Sequence, residues 1–159
     1  MKKLIIFLFA VSTSALWAQD IPKDEAPIFI VKMADARLMD REEGRLAASY
    51  GSTKAIRDYG SLMVKDQETL FAKLKQLAAS KNITLPNAIS EKKSKQLMKL
   101  SGFRGKKFDR NFLNMIKTDH KRDIKKFKKA TEFEDVATKK FAVDNLPMIE
   151  QHLEGAKAL

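Results

Sequence analysis

Residues 54–80 read KAIRDYGSLMVKDQETLFAKLKQLAAS, and their spacing decides the fold. Ile56, Tyr59, Met63, Leu70, Leu74 and Leu77 fall three, four or seven residues apart, the period that lines one face of an α-helix. Ser52 or Thr53 is placed to cap its start, and the pattern runs to about Lys81. At 1.5 Å per residue such a helix is about 40 Å long. That is bundle length.

The same period continues on both sides. Upstream, a helix is predicted from about Asp24 to Tyr50, with Gly51 ending it and Val31, Leu38, Met39, Leu46 and Tyr50 as its stripe. Downstream, Asn82 to Asn87 contains Leu85-Pro86 and reads as a loop, followed by a short basic helix from about Ile89 to Leu100 that stops at Ser101-Gly102. A further long helix spans about Lys106 to Ala130, with Phe108, Phe112, Ile116, Ile124 and Phe127 on one face. Thr131-Glu132-Phe133-Glu134 has capping-box spacing and predicts the start of a last helix reaching about Lys157. Pro147 inside it removes one backbone donor and predicts a kink or an unserved carbonyl. Strand signals are absent. The fold class is therefore all-α: a four-helix bundle, with a short extra helix in the connection between the second and third long helices.

The N-terminus has a different logic. Lys2 and Lys3 precede an apolar run from Leu4 to Val11, then Ser12-Thr13-Ser14-Ala15 and Leu16-Trp17-Ala18-Gln19. Charge, short apolar core and small-residue exit are the layout of a secretory signal, with cleavage expected after Ala18. The expected organisation is a signal peptide over residues 1–18, a short segment over 19–25, and one helical domain over 26–159. The chain is expected to be exported, periplasmic or peripheral to the outer membrane. With zero cysteines, neither a disulfide nor a lipid-bearing N-terminal cysteine is available. Loss of Lys2 and Lys3 with the signal lowers the formal charge from +11 to +9. No later segment is apolar enough to cross a bilayer.

Polar residues on the apolar stripes carry the functional expectation. Glu42 lies four after Leu38; Gln67 four after Met63; His120 midway between Ile116 and Ile124; His152 three after Ile149. Each long helix contributes one, and leaving such a group buried without a partner costs about 1–3 kcal/mol. Two readings follow. Glu42, His120 and His152, with Gln67 beside them, are a candidate transition-metal site, since imidazole and carboxylate suit such ions. The plainer alternative is a hydrogen-bonded polar layer that fixes helix register. The scattered methionines read as core filler.

Lysine and arginine crowd the third long helix. Lys121, Arg122, Lys125, Lys126, Lys128 and Lys129 are a candidate face for an anionic envelope surface or a polyanion, or else an ordinary solvated face. Nucleic acid is not expected, because no aromatics interleave with these charges. No catalytic residue is assigned: there is no cysteine nucleophile, Gly-x-Ser-x-Gly, phosphate-binding glycine loop or His-Glu-x-x-His. Oligomeric state is left open.

In order along the chain, Glu42-Glu43-Gly44-Arg45-Leu46-Ala47, Tyr59-Gly60-Ser61-Leu62-Met63-Val64-Lys65-Asp66, Phe108-Asp109-Arg110-Asn111-Phe112-Leu113, His120, and Leu146-Pro147-Met148-Ile149-Glu150-Gln151-His152-Leu153 resemble an exported bacterial family. It is the domain of unknown function numbered four-one-four-two, which goes under an outer-membrane-protein label. The resemblance covers about residues 26–159 and implies a ferritin-like helical bundle and an envelope location, with no activity attached. The family pattern has a histidine after the aspartate of the second long helix. This chain has Asp66-Gln67, so the resemblance implies that any metal site there is weakened or lost.

Overall fold

The computed structural model describes residues 25–159. The expected signal peptide and nearly all of the short segment after it lie outside the described residues. Five helices follow in order: α1 (Glu25–Tyr50), α2 (Lys54–Ser80), α3 (Glu91–Ser101), α4 (Gly105–Ala130) and α5 (Val136–Ala158). Among the described residues there is no strand, and no helix is long and apolar enough to cross a membrane.

Thr53 caps α2 as its position predicted, its hydroxyl accepting from the Ile56 N–H at 3.2 Å. The capping box at Thr131 does not form. The Thr131 hydroxyl instead donates to the Lys128 carbonyl at the end of α4, and Asp135 caps α5 by accepting from the Thr138 N–H at 2.7 Å. α5 runs unbroken through Pro147. The missing proline N–H leaves the Val143 carbonyl without its helical donor, at a residue that is exposed.

α1 packs on α2 and α4, and α5 packs on the same two helices from the opposite side. Two apolar clusters fix the directions. At one end Phe29 and Ile30 of α1 meet Leu74 and Leu77 of α2, Phe127 of α4 and Phe141 of α5. At the other, Ala47 meets Ile56 and Tyr59, Phe108 and Phe112, and Ala156. Every long helix is thus antiparallel to both neighbours. α2 finishes beside the start of α1, whereas α4 begins beside the end of α1. The connection over residues 82–104 must therefore travel the length of the molecule, and α3 carries part of it, packed outside α1 and α4.

The buried side of α1 differs from the expected stripe. Val31 and Tyr50 are exposed, while Ala26, Ala34, Ala36, Gly44 and Ala47 are buried with Met33, Leu38 and Met39. The small residues let α2 come close. A Cβ on Gly60 would lie 2.5 Å from the Ala48 nitrogen and 2.7 Å from the Gly44 oxygen, so this crossing requires glycine.

Candidate functional site

Between the two apolar clusters lies a layer of polar side chains from all four long helices. α1 supplies Arg37, Asp40 and Glu43, one turn apart; α2 supplies Asp66 and Gln67; α4 supplies His120 and Asp123; α5 supplies His152. Arg37, Asp40, Glu43, Gln67, His120, Asp123 and His152 are all buried.

Arg37 sits at the electrostatic centre. Its Nη2 donates to Asp123 Oδ2 and lies 2.9 Å from Asp40 Oδ2, an ion pair from one α1 side chain to carboxylates on two helices. Lys126 Nζ donates to the other oxygen of Asp123 at 3.0 Å, reaching in from the rim. On the far side, His152 Nε2 lies 2.8 Å from Asp66 Oδ2, and its Nδ1 lies 3.5 Å from Gln67 Nε2. Tyr59 donates its hydroxyl to the His152 carbonyl at 2.7 Å, which holds that turn of α5. The rings of His120 and His152 are 5.6 Å apart, centre to centre.

Burial and charge split the titrations. Burial, reinforced by Asp40 and Asp119, pushes the Glu43 carboxyl well above its usual range; neither of its oxygens has a protein partner. Asp40 is also raised, burial outweighing Arg37. For Asp123 burial again pushes upward, but Arg37 and Lys126 outweigh it and hold the group below the usual carboxylate range. Burial, then Arg37 and His152, lower His120 to about 3, and neither ring nitrogen has a protein partner. Burial lowers His152 as well, although Asp66 opposes it. The centre of the layer is therefore an arginine cation paired with Asp123, beside a His120 that is neutral at neutral pH and a Glu43 whose burial favours its protonated form. The charge is neutralised within the protein.

Of the sequence-predicted set, Gln67, His120 and His152 converge as expected. Glu42 does not join them. It is part-exposed and accepts from Arg41 at 3.0 Å and from Arg45 at 2.8 Å on the outer flank of α1. Its neighbour Glu43 is the buried one, because one residue turns a helix by about 100°. Arg37, Asp40 and Asp123 were not among the predicted site residues. Their signal is spacing: Asp40 follows Arg37 by three, and Asp123 follows His120 by three, one turn along a buried face.

The donor chemistry fits a metal poorly. Asp40 and Asp123 answer to the Arg37 guanidinium, a fixed cation where a second cation would have to sit, and Asp66 is already taken up by His152 Nε2 at 2.8 Å. Among the described residues no three His, Cys, Asp or Glu side chains are disposed to hold a metal ion.

The six cations chosen as an anionic-partner face divide. Arg122 pairs with Asp119, Lys126 with Asp123, Lys128 with Glu150 at 3.3 Å and Lys129 with Glu25 at 2.6 Å. Lys121 and Lys125 point outward and have no acidic partner among the described residues.

A family model described as Domain of unknown function (DUF4142) matches residues 12–159. No curated protein and no solved structure matches the chain.

Proposed function

The chain belongs to the DUF4142 family, a domain of unknown function, and we propose that it is an exported, non-catalytic helical module that acts through its surface. The observation that carries this reading is the buried Arg37 between Asp40 and Asp123, which fills the polar interior with an internal ion pair. An interior neutralised in this way serves to fix helix register. In this reading the architecture is a ferritin-like four-helix bundle. Its support is the single crossover running the length of the molecule between two antiparallel pairs. The basic N-terminus and apolar run over residues 1–18 support export, with a periplasmic or outer-membrane-peripheral location. The excess of lysine supports an anionic partner in the envelope.

One observation favours a second reading. His120 keeps both ring nitrogens free of protein partners, 5.6 Å ring to ring from His152. Neutral imidazoles in that state can ligate a transition metal, and Gln67→His would add a third. Elemental analysis of protein purified without a tag separates the two. The surface reading expects far less than one metal per chain and no change in His120→Ala. A metal present in stoichiometric amount, and lost in His120→Ala, would replace it with the metal reading.

A further inference from the structure

Reading the outward edge of α4 residue by residue gives Lys107, Arg110, Asn114, Lys117, Lys121 and Lys125, spaced three or four apart. On a helix that spacing is one straight line, here about 27 Å long at 1.5 Å per residue. All are exposed except Lys117, which is half-buried. None of its cations has an acidic partner among the described residues. The reason is visible on α4 itself, whose carboxylates are Asp109, Asp119 and Asp123. Asp109 turns to the α1–α2 corner, accepting from the Ser52 N–H at 3.0 Å and from the Ser52 hydroxyl. Asp119 pairs sideways with Arg122, and Asp123 points inward to Arg37. All three acids are engaged away from the line.

We infer that this line is a docking ridge for the surface of an anionic phospholipid bilayer. The inference rests on the surface-acting reading above and gives that surface a place and a partner. Three features select a bilayer. The ridge is straight and rigid, because the opposite side of α4 is buried through Phe108, Phe112, Ile116 and Phe127. It carries no apolar side chain, so contact stays at the level of the headgroups, without insertion. It is also more than a line. α3 packs against α4 and adds the exposed Lys92 and Lys99 beside it, so the basic charge is not confined to one helix. A plane of phosphates can meet such an area, whereas a single polymer strand covers only part of it. Lys117, Lys121 and Lys125 follow one another at about 6 Å along the helix, within a Debye length of about 8 Å at physiological ionic strength, so they act on the same stretch of membrane.

The test is co-sedimentation of the purified protein with vesicles of phosphatidylglycerol and phosphatidylcholine, against phosphatidylcholine alone. Two triple variants are compared: Lys117→Glu/Lys121→Glu/Lys125→Glu on the ridge, and Lys65→Glu/Lys75→Glu/Lys139→Glu on α2 and α5, which changes net charge equally. Circular dichroism checks that each is folded, and a Lys→Gln version of the ridge triple serves if the glutamates disturb the helix. Each basic residue near an anionic surface contributes about a fivefold gain in partitioning, so losing three costs roughly a hundredfold. The expected result is strong binding to the anionic vesicles at low salt, falling with added salt, abolished on the ridge and kept within about threefold in the control. Equal losses in both variants would mean net charge without a docking ridge and would overturn the inference. Binding to polyphosphate in solution but not to vesicles would overturn the bilayer as partner. Either failure leaves the surface-acting reading standing, because that reading falls only to the metal content of the interior.

Discussion

Replacing Arg37 by methionine removes the one cation that serves two buried carboxylates. In the wild type Arg37 holds Asp123 ionised and offsets part of the burial cost of Asp40. Without it, Asp123 keeps only Lys126 at 3.0 Å, and Asp40 loses its nearest positive charge. Breaking a buried pair from one side costs about 3–5 kcal/mol, against a total of about 5–15 kcal/mol for a domain. With an m-value of about 2 kcal/mol per molar urea, the midpoint should fall by about 2 M. Two companion results follow from the same physics. In Arg37→Met the freed carboxylates have folded pKa values above their unfolded ones. The penalty is then full above the folded pKa and is relieved as pH falls toward about 4. The triple variant Arg37→Met/Asp40→Leu/Asp123→Leu leaves only half-exposed Lys126 without its acid, and it should recover to within about 1 kcal/mol of wild type or exceed it. The assay is urea unfolding followed by far-ultraviolet circular dichroism across pH. A loss below about 1 kcal/mol in Arg37→Met, or a triple no better than the single, would refute the picture of a self-neutralised interior.

Other outcomes follow from the same layer and from the helix contacts. Glu43 has a raised pKa, so wild-type stability should decline as pH climbs above about 4.5 toward the folded value; Glu43→Gln, neutral at every pH, should remove that decline in urea midpoints. His120 has the opposite sign. Its folded value of about 3 lies below the unfolded 6.5, so acidification through that window costs up to roughly 4–5 kcal/mol, and His120→Leu should flatten the acid limb of the same profile. Gly60→Ala should lower the melting temperature by several degrees, because its Cβ would meet the Ala48 nitrogen at 2.5 Å and force α1 and α2 apart.

The long helices were readable from sequence because α2 and α4 carry large apolar residues at regular spacing, with polar ones elsewhere. Gly51, Thr53 and Gly102 marked ends for reasons of backbone chemistry alone. α1 was harder. Much of its buried side is alanine and glycine, which leave no stripe of large residues, so that Leu38 and Met39 are buried as expected but Val31 and Tyr50 are exposed. The same shift placed Glu42 inward when Glu43 is the buried neighbour. Arg37, Asp40 and Asp123 have the one-turn spacing of a buried face but were harder to read for a different reason. A charge pattern reads as surface, and only the distance between α1 and α4, which no local period encodes, reveals that these charges neutralise one another. Thr131 had the right spacing for a cap, but α4 ends there, and Asp135 lies one turn later at the true start of α5. Gln67, His120 and His152 were legible because each interrupts an otherwise strict apolar stripe.

The polar interior pairs its buried arginine with its own carboxylates and calls for no added ion. Thermal unfolding of untagged protein, first with excess chelator and then with excess zinc, copper, nickel or iron, addresses it most directly. A ligand held at a hundred times its Kd adds about 2.7 kcal/mol, which for a domain of this size raises Tm by roughly 8 °C. The account predicts the same Tm in every condition. A saturable rise with one metal, abolished in His120→Ala, would contradict it.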